Sequence, residues 1–200
     1  MIRLGISTEG ATEREFVNKV LRPHLSPFNI TTTAIDMRGN VSLDKIRGIL
    51  PPLLGGYDRV STLYDFYGFK GRELRTVTQL EAAISNLVPP DQQRRLIPYV
   101  QQYEFETLLF AVPEHTVEWM QSPATAIATM REAVRTAGSA ERVNDRPETS
   151  PSHRIKALFA DYDKKLHGPE IVELAGLAAI RAECPRFDAW VAQLEQLAPR

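Results

Sequence analysis

The first sixteen residues, MIRLGISTEGATEREF (1–16), hold the pattern that decides the fold. Residues 1–6 are a mostly apolar run with strand character, which stops at polar Ser7 and Thr8. The following stretch, residues 11–25, carries apolar residues at helical spacing. Thr8 or Thr12 could cap this helix, and Glu15, three residues after Thr12, fits a capping box. The chain is therefore expected to begin with a strand, a short polar turn and a helix.

The same alternation continues along the next hundred residues. ITTTAID (30–36) is β-branched and predicts a second strand, and Arg59–Tyr64 predicts a third. Between them, SLDKIRGILPPLL (42–54) predicts a helix opened by Ser42 and stopped by Pro51 and Pro52. Residues 71–88 predict a long amphipathic helix, and residues 94–112 predict a fourth strand that passes into a helix near Tyr103. Strands that alternate with helices indicate a parallel α/β sheet.

After Pro113 the pattern becomes helical throughout, apart from a polar loop at residues 138–151. The predicted fold is therefore α/β, with a parallel, Rossmann-like sheet of about four strands flanked by helices and a helical C-terminal half. The predicted division is an α/β core at 1–112 and a helical extension at 113–200, packed on the same core.

Composition limits the classes of function. The net charge is −1 and the hydrophobic fraction is 43%, so a nucleic acid would have to be bound by a local basic patch. The single cysteine, Cys184, excludes an internal disulfide and a cysteine-based zinc site. It favours a reduced, cytoplasmic compartment. The sequence shows no leader and no apolar run of about 18 residues. We therefore predict neither a signal peptide nor a membrane partner.

Carboxylates follow several of the predicted strands. Glu9 follows the first strand, Asp65 ends the third, and Glu104 and Glu106 follow the fourth. Because open parallel sheets bind ligands beyond the carboxyl ends of their strands, we expect these groups to converge. Converging carboxylates repel one another, and Mg²⁺ or Mn²⁺ relieves that repulsion. Such a site is typical of phosphoryl transfer, and Glu13, four residues after Glu9, could share its face.

Simpler explanations exist for each of these acidic residues. Glu13 and Glu15 could stabilise the helix macrodipole, and Asp65 could cap a helix. Glu104 and Glu106 lie in an apolar stretch, where a carboxylate pair is costly unless an arginine or a metal ion compensates it.

Six stretches, taken together, resemble one known family. They span nearly the whole chain in order, and they are EGATEREFV (9–17), LYDFYGFKG (63–71), YVQQYEFETLLFA (99–111), VNDRPETSPSHRI (143–155), YDKKLHGPEI (162–171) and IRAECPRFDAW (180–190). The chain resembles the Toprim-like bacterial domain-of-unknown-function family of the AriB type. That type is the effector of PARIS anti-phage defence and the partner of an ABC-type ATPase.

The resemblance implies roles for particular residues. Toprim domains carry a glutamate after the first strand and a DxD pair after the third. Glu9 matches the glutamate, a candidate general base or metal ligand, and Asp65 matches the first aspartate. Tyr67 stands in place of the second aspartate, which removes one ligand and leaves Glu104 and Glu106 as replacements. The resemblance implies catalysis by Glu9, Asp65 and Glu106.

Two cationic segments could hold phosphate groups. The loop after Asp65 carries Lys70 and Arg72 among the aromatic residues Tyr67 and Phe69, an arrangement that suits a nucleic-acid backbone or a stacked base. Residues 144–156 carry a further cationic group, with Ser150 or Ser152 as the expected helix cap. That group consists of Arg146, His153, Arg154 and Lys156. A mobile glycine-containing loop and a solvated helix face are the simpler explanations of the two segments.

The first predicted function is a Mg²⁺- or Mn²⁺-dependent nuclease of anti-phage defence, with DNA or transfer RNA as substrate. The alternative is a non-catalytic binding or regulatory partner of an ABC-type ATPase, with a degenerate site. A third reading is a small-molecule phosphotransfer or nucleotide-processing enzyme. The prediction leaves a homodimer open.

Overall fold

A parallel β-sheet organises the computed structural model, which describes residues 1–72, 75–144 and 147–197. Its strands are β1 Ile2–Thr8, β2 Ile30–Asp36, β3 Arg59–Asp65, β4 Leu96–Ile97 and β5 Val100–Gln101. The order across the sheet is β2-β1-β3-β4, with β5 paired to β3 further along. All pairings are parallel, so the carboxyl ends of β1, β2, β3 and β5 lie at one edge. The predicted parallel α/β sheet is confirmed.

The predicted fourth strand is interrupted. Pro98 and Tyr99 lie between β4 and β5, and Pro98 has no N–H to contribute to a ladder. At the break, the Thr62 hydroxyl donates to the Tyr99 carbonyl at 2.9 Å and accepts from the Tyr99 N–H at 2.8 Å. A β3 side chain thus replaces the missing backbone pairing and keeps β5 in register beside Asp65.

Helices cover both faces of the sheet and make up most of the chain after residue 113. They are α1 Ala11–Phe16, α2 Arg22–Leu25, α3 Leu43–Gly56, α4 Val77–Ser85, α5 Pro90–Gln93, α6 Thr107–Phe110, α7 Pro113–Trp119, α8 Thr125–Ala137, α9 Pro151–Leu158, α10 Lys164–Ala175, α11 Leu177–Glu183 and α12 Pro185–Glu195. A π-helical segment, Val17–Leu21, joins α1 to α2. The helical C-terminal half is confirmed.

Several predicted helix boundaries are wrong. Helix α3 begins after Ser42 as predicted, with the Ser42 hydroxyl accepting from Lys45 N–H at 3.2 Å, but it continues through Pro51 and Pro52 to Gly56. Both prolines face solvent, where water can bond the backbone carbonyls that they leave unpaired. Leu53 and Leu54 on the next turn are buried and hold the helix on the core.

Two other helices also depart from prediction. Helix α4 begins only at Val77, because Thr76 caps it. The predicted helix near Tyr103 begins at Thr107, after a turn that contains Glu104.

The first helix is capped differently from the prediction. Neither Thr8 nor Thr12 is its N-cap, and Glu15 closes no capping box. Gly10 holds the N-cap position, and its N–H donates to Glu13 Oε2 at 3.0 Å. Glu13 is the third residue of α1, so its side chain reaches back to the turn that follows β1. That bond turns Glu13 towards the sheet edge.

The sheet separates two hydrophobic clusters. Leu4, Ile6 and Leu63 point to the face covered by α1, α10 and α12, whereas Val60 and Tyr64 point to the face covered by α3 and α4. The helix α12 is fixed to β3 and to the strand break, since Trp190 Nε1 donates to Ser61 Oγ at 2.9 Å. The Trp190 ring also stacks on Tyr99 at 4.5 Å between ring centroids.

The helices after residue 113 join the same cluster as β1, but the predicted division at residue 112 stays a prediction. Within the described residues, no helix combines the length and the apolar character needed to cross a bilayer. The predicted compartment stays a prediction. Cys184 is buried and forms no disulfide.

Candidate active site

The ends of β1 and β3 bring Glu9 and Asp65 together. The backbone N–H of Asp65 donates to Glu9 Oε2 at 3.0 Å. Gly68, in the turn after β3, packs against the same carboxylate: a Cβ at this position would lie 2.1 Å from Glu9 Oε1. Any side chain at this position would displace the Glu9 carboxylate from where it lies. The turn after β3 therefore holds the Glu9 carboxylate at the edge of the sheet, as the strand pattern predicted.

Asp65 points to the face of the sheet that α10 covers, and there it meets Lys164, the first residue of α10. Lys164 Nζ donates to Asp65 Oδ2 at 2.9 Å and lies 3.6 Å from Glu106 Oε2. The contact between Lys164 and Glu106 is an ion pair, but its distance exceeds hydrogen-bond range. Asp163 caps α10, accepting from the N–H groups of Lys165 and Leu166. A capped helix start thus places an ammonium group between two carboxylates.

Glu9, Glu13, Asp65 and Glu106 form a carboxylate cluster at this edge of the sheet. The last three are buried and have oxygens without a hydrogen-bond partner. Glu106 is fully buried and both of its oxygens lack one, while Asp65 Oδ1 and Glu13 Oε1 each lack one. The buried hydroxyl of Tyr162 makes no hydrogen bond of good geometry, but it lies beside Glu106, whose charge and weak hydrogen bonding raise the pKa of Tyr162 further, after burial. Buried polar atoms are normally paired, so this concentration of unpaired oxygens is an exception that a bound ligand would explain.

Burial and mutual repulsion raise the pKa values of these acids. Burial, together with the charge of Asp65, raises the pKa of Glu9 to about 7 and that of Glu13 to about 8. Burial raises the pKa of Glu106 to about 7 although Lys164 opposes the shift, and burial raises the pKa of Asp65 against the same lysine.

Lys164 shows the reverse effect. Burial works against its charge, yet Asp65, Glu106 and Glu13 raise its pKa well above the usual value. One lysine therefore stays charged, while Glu9, Glu13 and Glu106 exchange protons near neutral pH. A cation entering the cluster would displace those protons.

Glu104 is engaged elsewhere in the same neighbourhood. Its Oε2 accepts from the Ser152 N–H at 2.8 Å and its Oε1 accepts from the Ser152 hydroxyl at 3.0 Å. Ser150 holds the N-cap position of α9, but its hydroxyl contacts Ser152 and His153 and caps no N–H. Glu104 therefore caps α9 from outside the helix, a role that neither predicted serine takes. Its role as a metal ligand stays a prediction.

An open pocket of about 420 Å³ leads to the cluster between α1, β2 and α10. Glu9, Glu13 and Lys164 line it, and so do Asp36 and Arg38. Sequence reasoning missed Asp36, although it ends β2 as Asp65 ends β3. It also missed Lys164, for which the only signal was the need of buried carboxylates for a cation.

The unpartnered carboxylate oxygens fit a hard divalent cation, since such ions prefer oxygen ligands. The arrangement fits less well. Over the described ranges, no three His, Cys, Asp or Glu side chains are positioned to hold one metal ion. The Lys164 ammonium lies between Asp65 and Glu106, where a cation would compensate both. Binding by this set would require side-chain movement.

The predicted phosphate-binding residues fall in two places. Arg72 belongs to the turn after β3: its guanidinium lies 5.2 Å from the Tyr67 ring centroid and donates to the carbonyls of Tyr67 and Phe69. Lys70 is exposed on the same turn. Phe69 is buried in the core and is not available for stacking, which corrects the prediction for that residue.

The second group lies on α9. Arg154 Nε donates to the Thr149 carbonyl at 2.8 Å, and Lys156 is exposed. Arg146 lies outside the described residues. Arg72 and Lys70 therefore lie on the turn that follows β3. Arg154 and Lys156 lie on α9, which is connected to the carboxylate cluster through the bond between Ser152 and Glu104. Phosphate binding by these four residues stays a prediction.

Comparison with protein families gives one result. The model of the family described as Domain of unknown function (DUF4276) matches residues 8–195. Comparison with curated proteins gave no match. Comparison with solved structures gave none either.

Proposed function

The chain belongs to the DUF4276 family, a domain of unknown function, and from that premise we propose that it is a Toprim-type nuclease that hydrolyses phosphodiesters with Mg²⁺ or Mn²⁺. The observation that carries the proposal is the set of buried, unpartnered carboxylate oxygens of Glu13, Asp65 and Glu106 beside the end of β3. The structural α/β pattern and the motifs that resemble Toprim proteins of anti-phage defence support it. DNA and transfer RNA are the substrates proposed.

The proposed metal ligands are Glu9, Glu13, Asp65, Glu104 and Glu106. A bound divalent ion would neutralise phosphate charge and activate water. Glu9 lines the pocket and has a pKa of about 7, so near neutral pH its carboxylate can accept a proton from water. Gly68 and the Asp65 N–H fix the position of that carboxylate.

Lys164 has a separate role in this proposal. Its side chain is 36% exposed and lines the pocket, although its ammonium reaches Asp65 and Glu106. In the metal-free protein it balances the two carboxylates. With substrate present it can donate to a phosphate oxygen at the mouth of the pocket. Lys70, Arg72, Arg154 and Lys156 are proposed to position the flanking phosphates.

The test is incubation of the purified protein with plasmid DNA and with total RNA that includes transfer RNA, in Mg²⁺, in Mn²⁺ and in EDTA. We expect cleavage that EDTA abolishes and that Glu9→Ala and Glu106→Gln reduce by at least about 100-fold. The matched control is Glu15→Gln, since Glu15 pairs with Arg14 and is not in the cluster. Cleavage that persists in Glu9→Ala, or none with any substrate, contradicts the proposal.

A second candidate function is that of a non-catalytic partner of an ABC-type ATPase. Two observations favour it: the Tyr67 hydroxyl, at the position of the second Toprim aspartate, accepts from Asn144, and Lys164 occupies the space between Asp65 and Glu106. Co-purification with an ATPase encoded beside its gene tests this function. A stable complex together with unaltered nucleic acids would favour it over the nuclease.

A further inference from the structure

A second open pocket, of about 630 Å³, is lined in part by Tyr103, the residue before Glu104 in the chain. Its lining includes Gln102, Tyr103, Asn144, Arg142 and Arg186. An aromatic ring, two carboxamides and two guanidinium groups are the groups that proteins use to hold a base and its phosphate. We propose that this pocket binds a nucleotide, with its base stacked on Tyr103.

Tyr103 adopts a backbone conformation that requires explanation. Its φ is +60°, in the left-handed region that non-glycine residues rarely occupy. The carbonyl of Tyr103 accepts from the Tyr67 N–H at 2.9 Å, and the two rings lie 5.5 Å apart between centroids. The strained residue is therefore held in place by the turn after β3. Such strain is concentrated at binding sites, where it fixes the direction of a side chain.

Two unpartnered polar atoms belong to residues of the same pocket. Asn144 Oδ1, an acceptor, and Arg186 Nε, a donor, are both buried and have no hydrogen-bond partner. Asn144 uses its amide nitrogen on the Tyr67 hydroxyl, which leaves the oxygen. Both atoms are shielded from solvent, so the edge of a nucleobase, which offers donors and acceptors, would reach them once the two side chains turn towards the pocket.

The charge of the pocket suits the phosphate. Arg142 is exposed, and Arg186 is 35% exposed with one nitrogen paired to Glu81. The carboxylate at this pocket, Glu141, is buried and accepts from the N–H groups of Arg186 and Phe187 at 3.0 Å and 2.9 Å. Its oxygens are therefore already engaged. The cationic groups that line the pocket are Arg142 and Arg186, and Arg186 also donates to the Val100 carbonyl and lies over the Tyr99 ring.

The inference rests on the proposed function only for the identity of the substrate. Tyr103 precedes Glu104 in the chain and Tyr67 is two residues after Asp65, so a nucleotide here would adjoin the carboxylate cluster. The ligand could be a free mononucleotide or one unit of a single strand. Binding needs neither the metal nor cleavage, so it can be measured when the cluster is inactive.

The experiment measures fluorescence anisotropy of short, labelled single-stranded RNA and DNA in EDTA, with competition by the four common ribonucleoside monophosphates. We expect Tyr103→Gly to weaken binding by about 10- to 100-fold and Tyr103→Phe to retain it. Glycine adopts positive φ freely, which offsets the loss of the ring contact with Tyr67, so Tyr103→Gly should stay folded, as thermal unfolding checks. The control Trp119→Ala removes a half-exposed aromatic residue of α7 that does not line the pocket.

Each outcome bears on the inference. Competition by mononucleotides supports a free-nucleotide site, and binding of oligonucleotides alone supports recognition within a strand. Wild-type affinity in Tyr103→Gly, or no binding of any probe, overturns the nucleotide pocket. Binding that is lost in Tyr103→Gly but kept in Glu106→Gln, in a protein that cleaves nothing, leaves the pocket standing and removes only the nuclease.

Discussion

Gly68 and Glu9 are in such close contact that a single methyl group tests the site. Gly68→Ala would place a Cβ 2.1 Å from Glu9 Oε1, so the carboxylate or the turn after β3 must shift. If Glu9 acts in phosphodiester hydrolysis, a displacement of this size should lower cleavage roughly 100-fold. Metal-dependent cleavage and the unfolding temperature are the measurements.

The matched control is Gly48→Ala in α3, where a Cβ would meet open space. Alanine there should leave cleavage unchanged and raise stability by about 0.5–1 kcal/mol, since glycine is unfavourable inside a helix. Unchanged cleavage in Gly68→Ala, with the protein folded, would show that the position of Glu9 does not matter.

Lys164 provides a second test at the scale of one residue. Lys164→Met leaves Asp65 and Glu106 without their cation, so the metal-free protein should unfold roughly 5–10 °C lower than wild type. Mn²⁺ should then raise the unfolding temperature by more than it does in wild type, because the metal no longer competes with the ammonium. Thermal unfolding with and without Mn²⁺ measures both effects.

Lys165→Met serves as the control, since Lys165 is exposed on the same turn of α10. A Mn²⁺ shift in Lys164→Met no larger than that of wild type would show that the ammonium does not compete for the metal position.

The sequence predicts some of the cluster residues and not others. Glu9 and Asp65 could be predicted because strand ends of a parallel sheet meet at one edge, and Asp36 follows from the same rule. Lys164 could not, since it lies 99 residues from Asp65 and reaches it only through the packing of α10. The capping of α9 by Glu104 likewise depends on a contact over 48 residues.

At the scale of the element, the start of α10 depends on Asp163. Its Oδ1 accepts from the N–H groups of Lys165 and Leu166 at 2.8 Å and 3.1 Å. Asp163→Ala should destabilise the protein by about 1 kcal/mol and loosen the helix turn that carries Lys164. Chemical denaturation measures this loss. Asp163→Asn keeps an accepting oxygen and should cost much less; an equal loss in both variants would exclude capping as the cause.

Element boundaries were predicted less well than element types. Pro51 and Pro52 were expected to stop α3, but buried Leu53 and Leu54 extend it, because tertiary packing outweighs a local preference. The fourth strand was predicted as continuous, and only the pairing of Thr62 with Tyr99 shows how the chain passes Pro98 without losing register. Both outcomes depend on residues distant in sequence.

For the whole molecule, the raised pKa values predict how stability depends on pH. In the folded protein the pKa values are about 7 for Glu9, about 8 for Glu13 and about 7 for Glu106, against 4.5 normally. At a pH above 4.5 and below these raised pKa values, the unfolded chain has lost protons that the folded chain keeps. The contribution to stability is complete below the unfolded pKa and is lost as the pH rises through the folded pKa.

Denaturation in EDTA should therefore show a free energy of unfolding that falls from about pH 5 to about pH 8, by at least about 2 kcal/mol. Glu13→Gln keeps an acceptor for the Gly10 N–H but does not titrate, so it should flatten the curve. Mg²⁺ should flatten it too, if it displaces the same protons. Stability that stays level or rises over this range would contradict the burial of protonated carboxylates.

The fold as a whole was predictable because its pattern is local. Strands alternate with helices up to residue 112. Each face of the sheet packs against one hydrophobic cluster, made by helices adjacent in sequence or by the helical C-terminal half. The candidate site was predictable only in part, because Lys164 and α9, the helix that Glu104 caps, come from that C-terminal half.

The docking of Trp190 gives the protein a built-in optical probe. This indole is 2% exposed, stacked on Tyr99 and bonded to Ser61, whereas Trp119 is 38% exposed. Acrylamide should quench the fluorescence of the second indole and spare that of the first until α12 leaves the strand break. The emission spectrum of the unlabelled chain can therefore report whether α12 is packed against the sheet.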